Sequence, residues 1–211
     1  MDMSSTSTIA GILGQILNHT AKVNSSLRAN LQKGLSKTQI KKKTRTFPFC
    51  LPREVEDLYQ WRDGIGTDVQ DDLLFHYHHF PSLHKALEEY QMNLTWRVLG
   101  DDDPTIVPNL LPLFSFQSEF YGAYCCREKQ DTAPIYFVHH GEYLVYESLT
   151  TMLSAILECY ETGAYQPTIE DGTITTIVDE QRVAEIKLCW NPVRNEAYQR
   201  LLNQQRFYAH P

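Results

Sequence analysis

The chain has 211 residues, of which 42% are hydrophobic, enough for the packed core of one domain or two small ones, and this argues against disorder along its whole length. The longest apolar run near the N-terminus, residues 9–17, is interrupted by two glycines and a glutamine. A membrane span needs about 20 apolar residues, so no span is predicted. Asp2 stands where a secretory signal would carry positive charge, so no signal is predicted either.

Charge is divided unevenly along the chain. Residues 1–46 contain eight Lys or Arg and one acidic residue, Asp2, for a net charge of +7. Residues 47–211 contain 11 basic and 25 acidic residues, for a net charge of −14, and the whole chain carries −7. We expect the acidic part to repel nucleic acid and to attract basic surfaces.

The five cysteines are an odd number and contain no Cys-x-x-Cys pair. This pattern predicts no disulfide framework and favours a reducing cytoplasm. Cys125 and Cys126 are adjacent in a predicted strand, so their side chains should point to opposite faces. We therefore expect no shared metal site, and one of the two in the core.

Residues 1–46 are predicted to form a basic helical extension. Their apolar residues follow helical spacing in two groups, one over 9–17 and one over 27–35. We expect a helix pair on the body, then a solvated linker carrying the basic run 41–45. The alternatives for this run are an anionic membrane surface, nucleic acid, or the acidic remainder of the chain. No aromatic residue occurs in 1–46 to anchor the first two.

Turn residues divide the next part of the chain. The predicted elements are a helix over 53–63 that Pro52 begins and Gly64 ends, a strand over 73–80, a helix from Ser82 to about Met92, and a short strand over 94–99.

Four runs rich in aromatic and β-branched residues then follow at short intervals. They predict strands over 111–116, 120–127, 135–140 and 143–146. Consecutive short strands indicate an antiparallel meander, and the amphipathic helix from Ser148 to Gly163 should cover it. We predict an α+β fold with an antiparallel twisted sheet of about five or six strands packed against helices, with helical N- and C-terminal extensions.

The C-terminal part, 166–211, is predicted to be an addition packed on the core. It contains a strand over 173–178, a helix from Asp179 to about Cys189, and a last helix that begins at Asn191-Pro192. The predicted division is therefore 1–46, 47–165 and 166–211.

The order of elements in 47–165 resembles the SUKH superfamily, which includes fungal Smi/Knr cell-wall assembly regulators and bacterial immunity proteins. The stretches that carry the resemblance are 51–59 with Gly64, 80–83, and the series 111–114, 122–124 and 134–138 followed by the Ser148 helix. Ser115, Gln117 and Ser118 stand where the family commonly has aspartates. The resemblance implies the α+β fold and a role in binding protein.

Acidic residues in predicted turns and tyrosines of the sheet are the candidate binding residues, because tyrosines beside carboxylates are typical interface anchors. They are Asp71, Asp72, Asp101, Asp102, Asp103, Tyr121 and Tyr124. Since strand side chains alternate, about half of the sheet's aromatic residues should face the helices. The rest are covered by the terminal segments or form a partner surface.

His76, His78 and His79 form a cluster that could serve a metal, because His76 and His78 would share one face of a strand. A third ligand would have to come from His84, His139, His140 or a carboxylate. No His-Glu-x-x-His pattern is present. We therefore expect surface or half-buried histidines on an edge strand, without a metal.

These patterns together predict a cytoplasmic, non-catalytic protein-binding domain with no cofactor and no nucleic-acid partner. Its partner is expected to be a basic protein, such as a toxin captured by an immunity-type protein. Two alternatives stay open: a regulatory scaffold of the Smi/Knr type targeted by residues 1–46, and a metal-dependent hydrolase that uses His76 and His78.

Overall fold

The computed structural model describes residues 8–66, 72–99 and 109–190, which form helices and three antiparallel sheets. The helices are α1 (Ile9–Thr20), α2 (Leu27–Asn30), α3 (Lys37–Lys43), α4 (Arg53–Trp61), α5 (Leu83–Leu99), α6 (Leu149–Glu161) and α7 (Glu180–Trp190). The strands are β1 (Leu31–Lys33), β2 (Arg62–Ile65), β3 (Leu110–Phe116), β4 (Glu119–Tyr124), β5 (Ile135–Val138), β6 (Glu142–Tyr146), β7 (Tyr165–Glu170) and β8 (Thr173–Val178).

The predicted α+β fold and the predicted meander are both confirmed. Strands β3, β4, β5 and β6 form one sheet in chain order, and every pair is antiparallel. The other described strands form two separate pairs, β1 with β2 and β7 with β8, so the strands are not gathered in one sheet of five or six. Strand β7 was not predicted. Pro167 lies inside it, and a proline is uncommon within a strand.

Helix α6 covers the four-stranded sheet as its amphipathic pattern predicts. Ser148 caps the helix by accepting a hydrogen bond from the Thr151 amide at 3.0 Å. Gly163, with φ +74°, follows its C-terminal end as predicted. Ile156 of α6 and Tyr121 of β4 line the same small cavity, which shows which side of the sheet the helix covers. We call this side the inner face.

Residues 1–46 contribute to the core and contain more than helices. Helix α1 buries its apolar side against α4 and α6. Residues 31–33 were predicted as helix but form β1, which pairs with β2. Residues 41–45 were predicted as a solvated linker, but they complete α3 and a following turn of 3₁₀ helix. One continuous cluster of buried apolar residues extends from Ile9 to Ile186.

Gly64 has a different role from the predicted helix cap. Helix α4 ends at Trp61, and Gly64 lies in β2 with φ +84°. A Cβ atom at this position would lie 2.3 Å from the Ser82 nitrogen. Glycine is therefore required because β2 passes directly against residues 81 and 82.

Two predicted strands are wrong. Residues 73–80 form a loop with only isolated bridges, from Phe75 to His78 and from His79 to Ser115. Residues 94–99 continue helix α5 to Leu99. At residues 73–80 long-range contacts hold the loop, such as the hydrogen bond from the His76 amide to Tyr160 Oη at 3.0 Å.

The strand over 173–178 and the helix after Asp179 that were predicted for the C-terminal part are both present. Strand β8 and helix α7 have nearly the predicted bounds, and the Asp179 carboxylate accepts a hydrogen bond from the Arg182 amide at 3.1 Å. The predicted helix from Asn191 lies outside the described residues. All five cysteines are free, and Cys125 is buried while Cys126 is half-buried, so one of the pair lies in the core as predicted. Both residues follow the end of β4 at Tyr124, so the prediction that they lie in a strand is wrong. Among the described helices, none has the length and apolar character to cross a membrane.

Candidate functional site

Most of the predicted acidic binding residues lie outside the described residues: Asp71, Asp101, Asp102 and Asp103. Asp72 is described, and its side chain is buried at 2% exposure. Its carboxylate accepts hydrogen bonds from Asn24 Nδ2 at 2.6 Å and from Asn30 Nδ2 at 2.5 Å. These bonds join the loop before residue 75 to the N-terminal region, so Asp72 is a structural residue and not a surface anchor.

The two predicted tyrosines lie on opposite faces of β4. Tyr121 is buried on the inner face, with its ring centroid 4.9 Å from that of His78 and 5.1 Å from that of Phe137. It therefore belongs to the core. Tyr124 has the opposite parity and is half-buried on the other side, which we call the outer face.

A group of half-buried side chains extends across the outer face from β4 to β6. Gly122 pairs with Tyr136, and Tyr136 pairs with Leu144. The Tyr124 and Tyr136 rings lie 6.3 Å apart between centroids. We call Tyr124, Tyr136, Val138 and Leu144 the tyrosine face; all four are half-buried.

Gly122 and Phe120 form the floor of the tyrosine face. A Cβ atom on Gly122 would lie 2.9 Å from Phe120 Cε2, so the Phe120 ring occupies the space that a larger residue would need. Phe120 and Gly122 are both buried. The tyrosines therefore project from a packed support, which keeps their rings in place.

One carboxylate belongs to this surface. Glu142 pairs with Val138 across β5 and β6 and so shares the outer face. Burial raises the pKa of Tyr136, and the neighbouring Tyr124 and Glu142 raise it further. The raised pKa favours the protonated phenol of Tyr136 further, and this phenol can donate a hydrogen bond at the outer face.

The histidine cluster does not form the predicted edge strand. His76 has φ +50°, an uncommon conformation for a residue with a side chain, and lies in a tight turn closed by a 2.9 Å hydrogen bond from the His78 amide to the Phe75 carbonyl. The His76 amide donates to Tyr160 Oη at 3.0 Å, and its ring stacks on Tyr165 at 5.2 Å. The turn therefore points the imidazoles of His76 and His78 into the protein.

His78 is the most deeply buried histidine of the described chain, at 4% exposure. Its ring lies between Phe75 and Tyr121, and neither ring nitrogen has a hydrogen-bond partner; His76 Nδ1 has none either. A cavity of about 10 Å³ lies beside them, lined also by Lys187. This is close to the smallest space that holds one water.

Burial lowers the pKa of His78 to about 3 and that of His76 to about 4, and Lys187 acts in the same direction on both. The Glu119 carboxylate lies 3.8 Å from His78 Nε2. That separation is too long for a hydrogen bond, so burial outweighs its attraction. Both imidazoles are therefore neutral at neutral pH.

A metal centre finds little support in this geometry. Glu119 also lies 3.5 Å from His139 Nδ1. In the parts of the chain that the structure describes, no group of three or more His, Cys, Asp or Glu residues is arranged to hold a metal ion. The Lys187 ammonium would also oppose a second cation beside His76 and His78.

Two comparisons with known sequences find no match. A scan against protein-family models finds no match, and a search of curated proteins finds no related sequence.

Sequence reasoning missed two residues of the outer face and one buried structural carboxylate. Tyr136 and Glu142 join Tyr124 through strand register, which the parity of the predicted strands could have indicated. Glu54 was missed because nothing local marks it. Its carboxylate accepts hydrogen bonds from the amides of Leu149 at 3.1 Å and Thr150 at 3.0 Å, at the N-terminus of α6.

Proposed function

We propose that this protein is a non-catalytic protein-binding domain and that its tyrosine face takes a basic partner protein. The observation that carries the proposal is the pair of half-buried rings, Tyr124 and Tyr136, on the side of the sheet opposite α6, with Glu142 on the same face. Rigid tyrosines lose little conformational entropy on binding and commonly dominate interface energetics.

Charge supports a basic partner. Residues 47–211 carry a net charge of −14, and Glu142 places one of these charges on the tyrosine face itself. A negative surface speeds encounter with a cationic one and rejects acidic competitors. The aromatic contacts then slow dissociation, because they bury apolar area after water is expelled.

The resemblance to the SUKH superfamily supports an immunity-type role, in which the partner is a basic toxin such as a nuclease. In that role the bound protein should lose its toxic activity. The regulatory scaffold of the Smi/Knr type is the alternative, and there the basic run of residues 41–45 would direct localisation.

Substitutions on the tyrosine face test the proposal. Tagged full-length protein is used to capture partners from its native cell, and affinity for the captured protein is measured at low and high salt. Tyr136→Ala should weaken binding by about tenfold or more. Ile177→Ala, at a site 53% exposed on β8, is the matched control and should change affinity by less than about twofold.

Three results would count against the proposal. They are a partner whose affinity is the same at low and high salt, an acidic partner, and equal binding by wild type and Tyr136→Ala. Thermal unfolding of each variant shows whether a lost interaction reflects a lost fold.

The structure also decides how the scaffold alternative should be tested. Deletion of 1–46 would remove Leu13, Ile16 and Leu27 from the core, so it would unfold the protein whatever its role. Lys41→Gln with Lys42→Gln removes basic charge from exposed positions instead. A scaffold should then lose its localisation, whereas an immunity-type protein should still bind its partner.

The metal-dependent hydrolase is the weakest of the three proposals. His76 and His78 would need a third ligand, and none of the described residues completes the set. Stoichiometric Zn, Mn or Fe in the purified protein, measured by elemental analysis, would favour this alternative over protein binding.

A further inference from the structure

A groove outside the tyrosine face lies between α3 with its 3₁₀ turn and α5. Lys43 and Thr46 line one wall, and His84, Lys85 and Met92 line the other, around a volume of about 660 Å³. We call this the basic groove. It shares no residue with the tyrosine face.

The two walls of the basic groove are held in place by buried contacts. Ile40 anchors α3, and the Phe47 ring packs edge-on against Tyr90 of α5 with centroids 5.0 Å apart. The Asp63 carboxylate connects the walls, because it accepts a hydrogen bond from the Leu83 amide at 2.8 Å and lies 3.9 Å from Lys43 Nζ. The groove is therefore a formed feature of the fold.

Positive charge on the α3 wall exceeds what internal pairing uses. Five basic residues of α3 and its extension are exposed: Lys37, Lys41, Lys42, Lys43 and Arg45. Among the described residues, only Lys43 of these five forms an ion pair. The sequence had left open that the run 41–45 lies against the acidic remainder of the chain. In the structure Lys43 pairs with Asp63 of that remainder, whereas Lys41, Lys42 and Arg45 are exposed to solvent.

The α5 wall adds a balanced Lys85–Glu88 charge pair and an apolar contact. Glu88 is the acidic residue of the groove lining, and it lies 3.4 Å from His84 and 3.6 Å from Lys85, so its charge is matched within the wall. Lysines in the last turn of α3 also complement the helix dipole. On the α5 wall, the apolar side chain of Met92 lines the groove and is 50% exposed.

We infer that the basic groove binds an acidic peptide segment of a partner protein that carries one apolar side chain. The exposed basic residues of α3 beside the groove, unpaired among the described residues, supply attraction for carboxylates, and Met92 supplies a flexible apolar contact. Nucleic acid fits less well, because the described groove lining contains no Phe, Tyr or Trp on which a base could stack, and its one imidazole, His84, lies 3.4 Å from the Glu88 carboxylate. A volume of this size accommodates a few side chains rather than a folded domain.

Fluorescence anisotropy with the full chain tests this inference. The probe is a short labelled peptide of Glu and Asp with one central Leu, and the reference probes are the same peptide with Gln in place of its acidic residues and a single-stranded oligo-dT. We expect the acidic peptide to bind more tightly than both reference probes, and added salt to weaken its binding.

Matched variants assign the binding to the groove. Met92→Asp should weaken peptide binding by about tenfold, because it replaces an apolar contact with a repelling charge. Leu188→Asp makes the same kind of change at a residue 54% exposed on α7, and should have little effect. Lys43→Gln with Lys85→Gln should also weaken binding, while Lys22→Gln with Lys33→Gln, at exposed positions outside the groove lining, should not.

Several results would overturn the inference: no measurable peptide binding, equal loss for the groove variants and their controls, or tighter binding of oligo-dT than of the peptide. Self-association that Met92→Asp abolishes would identify a second copy of the chain as the occupant instead. Because Tyr124 and Tyr136 lie outside the groove, Tyr136→Ala should leave peptide binding unchanged, so this inference and the proposed function fail independently.

Discussion

The structure contains two kinds of buried polar cluster, and they differ in whether their hydrogen bonds are complete. The carboxylates of Glu54 and Asp72 are buried, and each accepts bonds from several donors. The imidazoles of His76 and His78 are also withdrawn from solvent, but three of their ring nitrogens have no partner. Complete bonding identifies the carboxylates as structural residues, whereas the histidines contribute a cost that burial of the surrounding rings must offset.

Removal of Glu54 should have the largest effect on stability. Its carboxylate accepts bonds from the amides of Ala133, Leu149 and Thr150 and from the Thr150 hydroxyl, and so joins α4 to the N-terminus of α6. Glu54→Ala should lower the free energy of unfolding by about 3–5 kcal/mol, measured by chemical denaturation. The control Glu56→Ala, which removes a surface ion pair with Lys129, should cost about 1 kcal/mol or less. If the two variants lose the same free energy of unfolding, the buried hydrogen bonds of Glu54 stabilise the fold no more than a surface ion pair does.

Removal of Asp72 should have an intermediate effect. Asp72→Ala leaves the side-chain amides of Asn24 and Asn30 without their acceptor, so the free energy of unfolding should fall by about 2–4 kcal/mol. Asp57→Ala, at a solvent-exposed carboxylate of α4, should change it by about 0.5 kcal/mol or less. If Asp72→Ala instead keeps wild-type stability and loses a binding activity, Asp72 is a recognition residue as the sequence predicted.

The histidine cluster should lower the free energy of unfolding when the pH falls below neutral. Above pH 6.5 both imidazoles are neutral in the folded and unfolded states. As pH falls below 6.5, the unfolded chain takes up protons that the folded protein refuses until about pH 4 at His76 and about pH 3 at His78. The free energy of unfolding should therefore decrease across this window, as measured by denaturation at a series of pH values.

The variant His78→Phe should have the smallest effect at neutral pH and should reduce that acid sensitivity. A phenyl ring has nearly the shape of imidazole and no unpaired nitrogens between Phe75 and Tyr121, so stability should be unchanged or higher by about 1 kcal/mol. A loss of more than about 2 kcal/mol would show that the imidazole has a bound partner in the adjacent cavity. His78 would then resemble Asp72, as a buried polar residue whose hydrogen bonds are satisfied.

Local pattern was sufficient for the meander and its covering helix. Strand-forming runs separated by turn residues predicted β3 to β6, and the spacing of Leu149, Met152, Leu153 and Ile156 predicted α6 with Ser148 as its cap. These elements join neighbours along the chain, so their pairing follows from short connections. The same reasoning named Tyr121 and Tyr124 together, and of the two only Tyr124 lies on the half-buried outer face.

Long-range contacts decided the rest of the candidate sites. The turn at His76 depends on Tyr160, 84 residues away, and the burial of Asp72 depends on Asn24, 48 residues away. The sequence alone determined that the chain folds as α+β with a basic N-terminal part and an acidic remainder. Only the tertiary structure decided which carboxylates and histidines lie inside, because burial and hydrogen bonding depend on residues that a local pattern does not contain.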